Sequence, residues 1–192
     1  MRAFLIKASK SHTAPTFLLK SLASTSGRLD IVLRSIMSAL LWEGKVRKDV
    51  IFYALLEGPP RPSLVVEIHG ASLKKIPTSE VKLGELFYEL LGGKKIEGFR
   101  VYKESFKEIV RRLNKVYEVV YLHEKGTDIR EFKFTRSPLF ILGDHEGLDK
   151  ESEEFLEQLG ITWISLGPIS YLASHCIVIV NEELDRRFKL LN

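Results

Sequence analysis

PLFILGDHEG (residues 138–147) and ITWISLGPIS (residues 161–170) share one form, an apolar run that ends in a glycine-containing turn. An apolar run without polar alternation suits a strand buried on both faces, and such strands belong to parallel sheets covered by helices. Gly143 follows Leu142 directly and Gly147 closes the first turn; Gly167 follows Leu166 in the second. In a parallel sheet both turns emerge at the carboxyl ends of strands, where open α/β folds bind ligands. Glycine there lets backbone N–H and C=O groups approach a flat ligand edge with no Cβ between them, although each glycine equally suits a plain tight turn. Neither turn matches GxGxxG or GxxxxGK, so a phosphate cradle is not indicated. A phosphate-free group such as an adenosine, held by backbone edges and apolar faces, fits better.

The rest of the chain follows the same alternation of apolar runs and amphipathic stretches, which predicts an α/β fold with a mainly parallel sheet and helices on both faces. Strands are expected at residues 3–6, 50–56, 64–68, 116–122, 138–142, 161–166 and 177–180. Leu83, Leu86, Phe87 and Leu90, and likewise Phe106, Ile109, Val110 and Leu113, fall at i, i+3, i+4 and i+7, the spacing of a helical stripe. Further helices are expected at residues 30–41, 150–159 and 182–190. Gly58, Pro59, Pro60 and Pro62 read as a loop between neighbouring strands. The stretch from Lys7 to Gly27, rich in Ser and Thr, has no clear element and reads as a functional or mobile loop.

The 192 residues suffice for one compact domain spanning 1–192. No stretch approaches the roughly 20 apolar residues of a membrane span, and MRAFLIKASK is too short and charged for a signal peptide, so a cytoplasmic protein is expected. The single cysteine, Cys176, leaves neither a disulfide framework nor a zinc cluster, and no metal is expected. Asn, Gln, Met and Cys are scarce while charged residues make up 28%, a balance that suits a heat-adapted protein. Charge is distributed unevenly: residues 1–115 carry a net +10 and residues 116–192 a net −6. A face attracting a polyanion would lie on the first part, if its lysines do more than solvate helices.

Single residues add candidates. Asp30, Arg34 and Ser38 form a polar row at i, i+4 and i+8, and the Asp30–Arg34 order alone gives an ion pair worth about 0.3–0.5 kcal/mol. Arg28 and Arg34 flank a glycine-led turn and can also hold phosphate oxygens bidentately. Arg47 and Asp49 precede the apolar run VIFYALLEG; two apart, they can pair with each other or present a cation and an acceptor to one substrate. His145 reads most simply as capping its turn beside Asp144, Cys176 as a small buried hydrophobe, and Glu151, Glu153, Glu154 and Glu157 as carboxylates suited to a helix amino end.

Taken in order, GRLDIVLR (27–34), RKDVIFY (47–53), YLHEKGTDI (121–129), FILGDHEG (140–147) and ISLGPISYLASHCIVIVNEELDR (164–186) resemble the archaeal tRNA pseudouridine N1-methyltransferases of the SPOUT class. The resemblance runs over essentially the whole chain. It implies a SPOUT-type α/β knot, with a C-terminal trefoil knot over about residues 137–192, a homodimer, and S-adenosylmethionine as methyl donor to N1 of pseudouridine 54 of tRNA. By position it implies cofactor contacts at Leu122, Gly143, Leu166, Gly167, Pro168, Ile169, Ser170, Tyr171 and Cys176. Arg28, Asp30 and Arg34 would face RNA, and Asp49 assisted by Arg47 would orient or deprotonate the base. Two stretches depart from the pattern. LASTSGRLD (22–30) is poorer in glycine and proline than is usual before GRxD, and IPTSEVK (76–82) stands where an Asp-Glu pair is common, with Glu80 remaining.

Methyl transfer from a sulfonium is an in-line displacement, so alignment is what the protein must supply. Two alternatives stay open at this level: the related N1-methylation of a pseudouridine in small-subunit ribosomal RNA, and a non-enzymatic RNA-binding module suggested by charge alone.

Overall fold

The computed structural model describes residues 1–189. In chain order the elements are β1 (Arg2–Ala8), α1 (Leu22–Thr25), α2 (Leu29–Leu40), a hairpin of β2 (Leu41–Trp42) and β3 (Lys45–Val46), β4 (Val50–Leu56), β5 (Leu64–His69), α3 (Glu80–Leu91), β6 (Phe99–Lys103), α4 (Phe106–Asn114), β7 (Glu118–Asp128), β8 (Pro138–Gly143), α5 (Lys150–Gln158), β9 (Thr162–Ser165) and α6 (Ala173–Lys189). Seven strands form one sheet in the order β6-β5-β4-β1-β8-β7-β9. The pairs β1–β4, β1–β8, β7–β8 and β7–β9 are parallel, and β4–β5 and β5–β6 are antiparallel.

Alternate residues of each strand feed two cores, which explains the lack of polar alternation. Phe4 and Ile6 of β1, with Phe52, Phe140 and Ile164, pack under α2, α3 and α6; Ala3 and Leu5, with Leu55, Leu139 and Ile141, pack under α4 and α5. The helices begin where the sequence offers side-chain caps. Ser79 caps α3, Ser105 and Glu108 form a reciprocal capping box on α4, and Asp149 caps α5.

Three expectations need correction. Residues 177–180 are not a strand: IVIV lies inside α6, where Ala173, Ile177, Val180 and Leu184 are buried at helical spacing against α2. Four adjacent β-branched residues mimic a strand locally, but tertiary burial on one helical face decides. The helix foreseen at 182–190 is the second half of the same α6, with Leu190 outside the described residues. The strand β6 was not foreseen, because as an edge strand with Arg100, Val101 and Lys103 exposed it lacks an apolar run.

The stretch from Lys7 to Gly27 is an ordered crossing at the carboxyl end of β1. Its path is fixed by close approach: a Cβ on Gly27, whose φ is +64°, would lie 1.7 Å from the Lys10 carbonyl oxygen, and one on Gly58 would lie 2.3 Å from the same atom. No described helix is long and apolar enough to cross a membrane.

Candidate functional site

The carboxyl ends of β7 and β8 open into a cavity of about 580 Å³, a volume within the usual range for small-ligand sites. Leu122, Leu142, Leu148 and Ala173 supply apolar wall, and the whole turn from Gly143 to Gly147 forms one side. That turn is tight: the Gly147 N–H donates to the Asp144 carbonyl at 3.2 Å, and a Cβ on Gly143 would fall 2.2 Å from the Gly147 carbonyl carbon. The Asp144 carboxylate, 4% exposed, accepts from the Ser9 N–H at 2.7 Å and the Glu146 N–H at 2.9 Å, so the turn is tied to the crossing after β1. Lys10 pairs with Glu146 over the same junction and holds that carboxyl below its usual range.

Opposite the turn stands the segment after β9. Ser165 Oγ donates to the Gly167 carbonyl at 2.8 Å and accepts from the Gly167 N–H at 3.2 Å. A Cβ on Gly167 would press against the Tyr171 ring at 3.2 Å. Ser170, Tyr171 and Cys176 line the cavity, whereas Leu166, Gly167, Pro168 and Ile169, expected to join them, do not. Cys176 sits in the first turn of α6, and burial pushes its thiol up to about 11. At pH 8 only about a thousandth of it is then thiolate. Alkylation by iodoacetamide at pH 8 should therefore run at least about tenfold slower than for a thiol of ordinary pKa, and mass spectrometry of timed samples checks this.

At the third side Arg28 and Arg34 reach the rim. Both are anchored on Asp30, which is wholly buried: Arg28 Nε and Nη2 donate to its two oxygens at 3.0 and 3.1 Å, and Arg34 Nη2 at 2.5 Å. Burial alone would raise the Asp30 carboxyl, but the Arg28 hydrogen bonds and the two guanidinium charges outweigh it and hold it below the usual carboxylate range. Arg34 also donates to Glu80 of α3 at 2.9 Å, so the carboxylate in the divergent IPTSEVK stretch serves this cluster. The two arginine side chains are 40% and 44% exposed, and a guanidinium is a group suited to phosphate oxygens.

Arg47 and Asp49 are not brought to this cavity within their own chain. They precede β4 at its amino end, while the cavity is at the carboxyl ends of strands parallel to it. Arg47 holds Asp185 of α6 with two bonds of 3.0 and 2.7 Å; Arg2 bridges Asp49 at 3.0 Å and Asp185 at 2.8 Å.

Sequence reading left out several cavity residues: Tyr121, His123, Glu124 and Glu146, and Glu153 as more than a helix charge. Tyr121 donates to Glu153 at 2.9 Å, and His123 packs against Trp163 with ring centroids 4.7 Å apart and the planes tilted by 44°. Residues 123 and 124 lie directly beyond the strand end expected at Leu122, where the rule that ligands gather at carboxyl strand ends already pointed. The strand instead runs past a register irregularity between Leu122 and Thr127.

A cavity with apolar walls, carboxylates and a turn free of side-chain bulk at Gly143 fits an adenosyl sulfonium carrying a cationic amino group. The comparisons with known proteins agree. A sequence family described as "Putative SAM-dependent RNA methyltransferase" matches residues 1–188. A protein of Thermococcus gammatolerans named tRNA (pseudouridine(54)-N(1))-methyltransferase is 38% identical over 197 residues, covering 96% of this chain and 97% of that protein. One of the same name from Methanococcus maripaludis is 36% identical over 199 residues, covering 97% and 99%. Among solved structures, Archaeoglobus fulgidus Nep1 bound to S-adenosylhomocysteine has the same fold, with TM-score 0.71 at 16% identity, over 96% of this chain and 97% of that one.

Proposed function

The chain belongs to the SAM-dependent RNA methyltransferase family, and we propose that it methylates N1 of pseudouridine 54 in the T loop of tRNA. The observation that carries this reading is one cavity that joins Leu122, Gly143, Tyr171 and Cys176 to the arginine pair Arg28 and Arg34. Relatives at 34–38% identity named for this tRNA position favour it over the ribosomal RNA alternative. Nucleoside mass spectrometry of tRNA and of small-subunit ribosomal RNA after incubation with the enzyme and methyl donor tests it. N1-methylpseudouridine at position 54 of tRNA is expected; product confined to ribosomal RNA would reject the reading.

Bound in this cavity, S-adenosylmethionine supplies an electrophilic methyl group on a sulfonium. Leu122, Leu142 and Leu148 offer the apolar faces for its adenosine, and Glu124, Glu146 and Glu153 offset its positive charges. Arg28 and Arg34, held by Asp30, take RNA phosphates at the rim. Their fixed geometry limits the approach of the base to one direction, which is where alignment contributes to rate. A target base stacked within a folded tRNA must leave its stack to reach the cavity. We assign the enzyme to the cytoplasm, a reading supported by the tRNA substrate named for its relatives.

We assign a trefoil knot to the described part of the C-terminal stretch, from about residue 137 to Lys189, and a homodimeric state to the molecule. The order β8-β7-β9 supports the knot, because after β9 at one edge the chain must return across β7 and β8 for α6 to pack on α2. The dimer is supported by exposed apolar residues on α6 and just before it, Val178 at 53%, Leu172 at 59% and Ile169 at 61%, and by Trp42, at 51%, which lines the same surface hollow as Val178. A two-fold axis across α6 sets each helix antiparallel to its copy. The amino end of α6 lines the cavity, and its carboxyl half holds Arg47 through Asp185. Such pairing therefore carries Arg47 and Asp49 of one subunit toward the cavity of the other.

In that arrangement Asp49, oriented by Arg2 and neighbouring Arg47, accepts the N1 proton as the new N–C bond forms. Asp49→Ala and Asp49→Asn are both expected to lower kcat by about 100-fold with unchanged affinity for S-adenosylhomocysteine. Asn preserves the hydrogen bond from Arg2, so rescue by Asn but not Ala would assign the residue to structure alone, and an unchanged rate in both would remove it from the reaction.

A further inference from the structure

We propose that Asp144 is a positioning residue for the RNA rim: through Ser9 it holds the backbone that carries Arg28, so that a cofactor seated against the Gly143–Gly147 turn tightens the hold on tRNA. This rests on the reading above of the cavity as cofactor site and of its rim as RNA contact. The starting point is a strained residue. Arg28 opens α2 at φ +67° and ψ +33°, the left-handed region that a non-glycine residue rarely adopts. Among the described residues only Glu43 and Ser63 share a positive φ without being glycine, and of the three Arg28 alone lines the cavity. Such a conformation persists where the surroundings over-determine it. At an ordinary negative φ the Arg28 side chain would leave the direction in which it meets Asp30 and the rim.

The surroundings are the crossing after β1. A Cβ on Gly27 would lie 1.7 Å from the Lys10 carbonyl oxygen, Ser11 Oγ donates to the Gly27 carbonyl at 3.1 Å, and the His12 N–H donates to the Ser26 carbonyl at 2.9 Å. Residues 10–12 therefore lie along residues 26–27, and what fixes the first segment fixes the backbone entering Arg28. The cofactor turn fixes that first segment. Asp144 Oδ2 accepts from the Ser9 N–H at 2.7 Å while its Oδ1 accepts from the Glu146 N–H at 2.9 Å, so one carboxylate ties the crossing to the turn. At 4% exposure water competes little for these bonds. Lys10 on Glu146 makes a second tie one residue along. The Arg28 guanidinium is raised above its ordinary value chiefly by the Asp30 hydrogen bonds, and the Asp144 charge adds to this, so Asp144 also lies within electrostatic reach of Arg28.

A ligand that orders the turn restricts Asp144, and with it Ser9, Gly27 and Arg28. Part of the ordering that tRNA requires is then complete before the RNA arrives. Such coupling is reciprocal, so tRNA must raise the affinity for the cofactor product by the same factor.

The test measures the Kd of tRNA carrying pseudouridine 54 with and without saturating S-adenosylhomocysteine, in wild type, Asp144→Ala, Asp144→Asn and Lys10→Gln. In wild type the ligand is expected to tighten tRNA binding about tenfold, and tRNA to tighten ligand binding equally. Asp144→Ala should bring that ratio within about twofold of one. Asp144→Asn keeps an oxygen for the Ser9 N–H and should retain most of the ratio. Lys10, 61% exposed and outside the cavity lining, can be changed without threatening the fold, and Lys10→Gln should lower the ratio about threefold. It decides the matter where Asp144→Ala no longer binds the ligand. A purely structural role for Asp144 would weaken tRNA equally in both states and leave the ratio intact. An intact ratio in the variants, or a wild-type ratio near one, would overturn the assignment. Wild type that binds neither tRNA nor ligand would instead remove the reading beneath it.

Discussion

Gly143→Ala is expected to weaken S-adenosylhomocysteine binding by at least about 100-fold, close to 2.7 kcal/mol, with the protein still folded. The new Cβ would lie 2.2 Å from the Gly147 carbonyl carbon and 2.5 Å from its Cα, both backbone atoms that cannot turn aside. The Gly143–Gly147 turn must therefore open by about 1 Å, a misplacement that can cost about two orders of magnitude at an aligned site. The change is local, because β8 ends at Gly143 and its core residues Phe140 and Ile141 are untouched. Calorimetry reads the affinity. Thermal unfolding supplies a control: the ligand should raise the midpoint of the wild type, as binding to the native state requires, and leave that of the variant in place. Equal affinity in the two proteins would show that this turn does not cradle the cofactor.

The second large effect is expected at Asp30, whose removal frees both rim arginines at once. Asp30→Asn keeps the volume but loses the charge, and hydrogen bonds between a buried carboxylate and guanidinium groups are worth about 1.5–3 kcal/mol each. Since Arg28 and Arg34 are about two-fifths exposed, water compensates part of the loss. A net destabilisation of about 1–3 kcal/mol at pH 7 follows. KM for tRNA should rise about tenfold while affinity for S-adenosylhomocysteine stays within about twofold. The pH dependence has a fixed sign. The folded carboxyl titrates below its unfolded value of about 3.9, so its stabilisation is complete above that value and fades as pH falls through the folded pKa. Denaturant unfolding should thus separate wild type from variant clearly at pH 7, and the gap should narrow as pH falls below the unfolded carboxyl value. A gap independent of pH would mean that charge at Asp30 is not what holds the arginines.

Much of this architecture was legible because burial on two faces leaves a plain trace. The apolar runs of β1, β4, β5 and β8 are each filled on both sides, so their lack of alternation led directly to a helix-covered sheet. The two glycine corners were legible for the same reason, standing where those runs stop. What the sequence concealed was decided over long distances. Ile177 to Val180 looks like a strand until α2 supplies the face that α6 covers. His123 and Glu124 look like loop residues until the irregular pairing of β7 with β9 turns them into cavity wall. Arg47 and Asp49 read as a substrate-facing pair, yet the fold commits them to Asp185 and Arg2, 138 and 47 residues away in the chain. Such partners carry no local sequence signal. The resemblance over the whole chain identified the chemistry, whereas the geometry divides the predicted residues between the two ends of the sheet.

The most direct measurement is a crystal structure of the protein with S-adenosylhomocysteine. The account places the ligand between the Gly143–Gly147 turn and the Ser170–Cys176 segment, with its adenosine against Leu122 and the sulfur facing the rim formed by Arg28 and Arg34. Ligand bound elsewhere, with that cavity closed by the protein's own side chains, would contradict it.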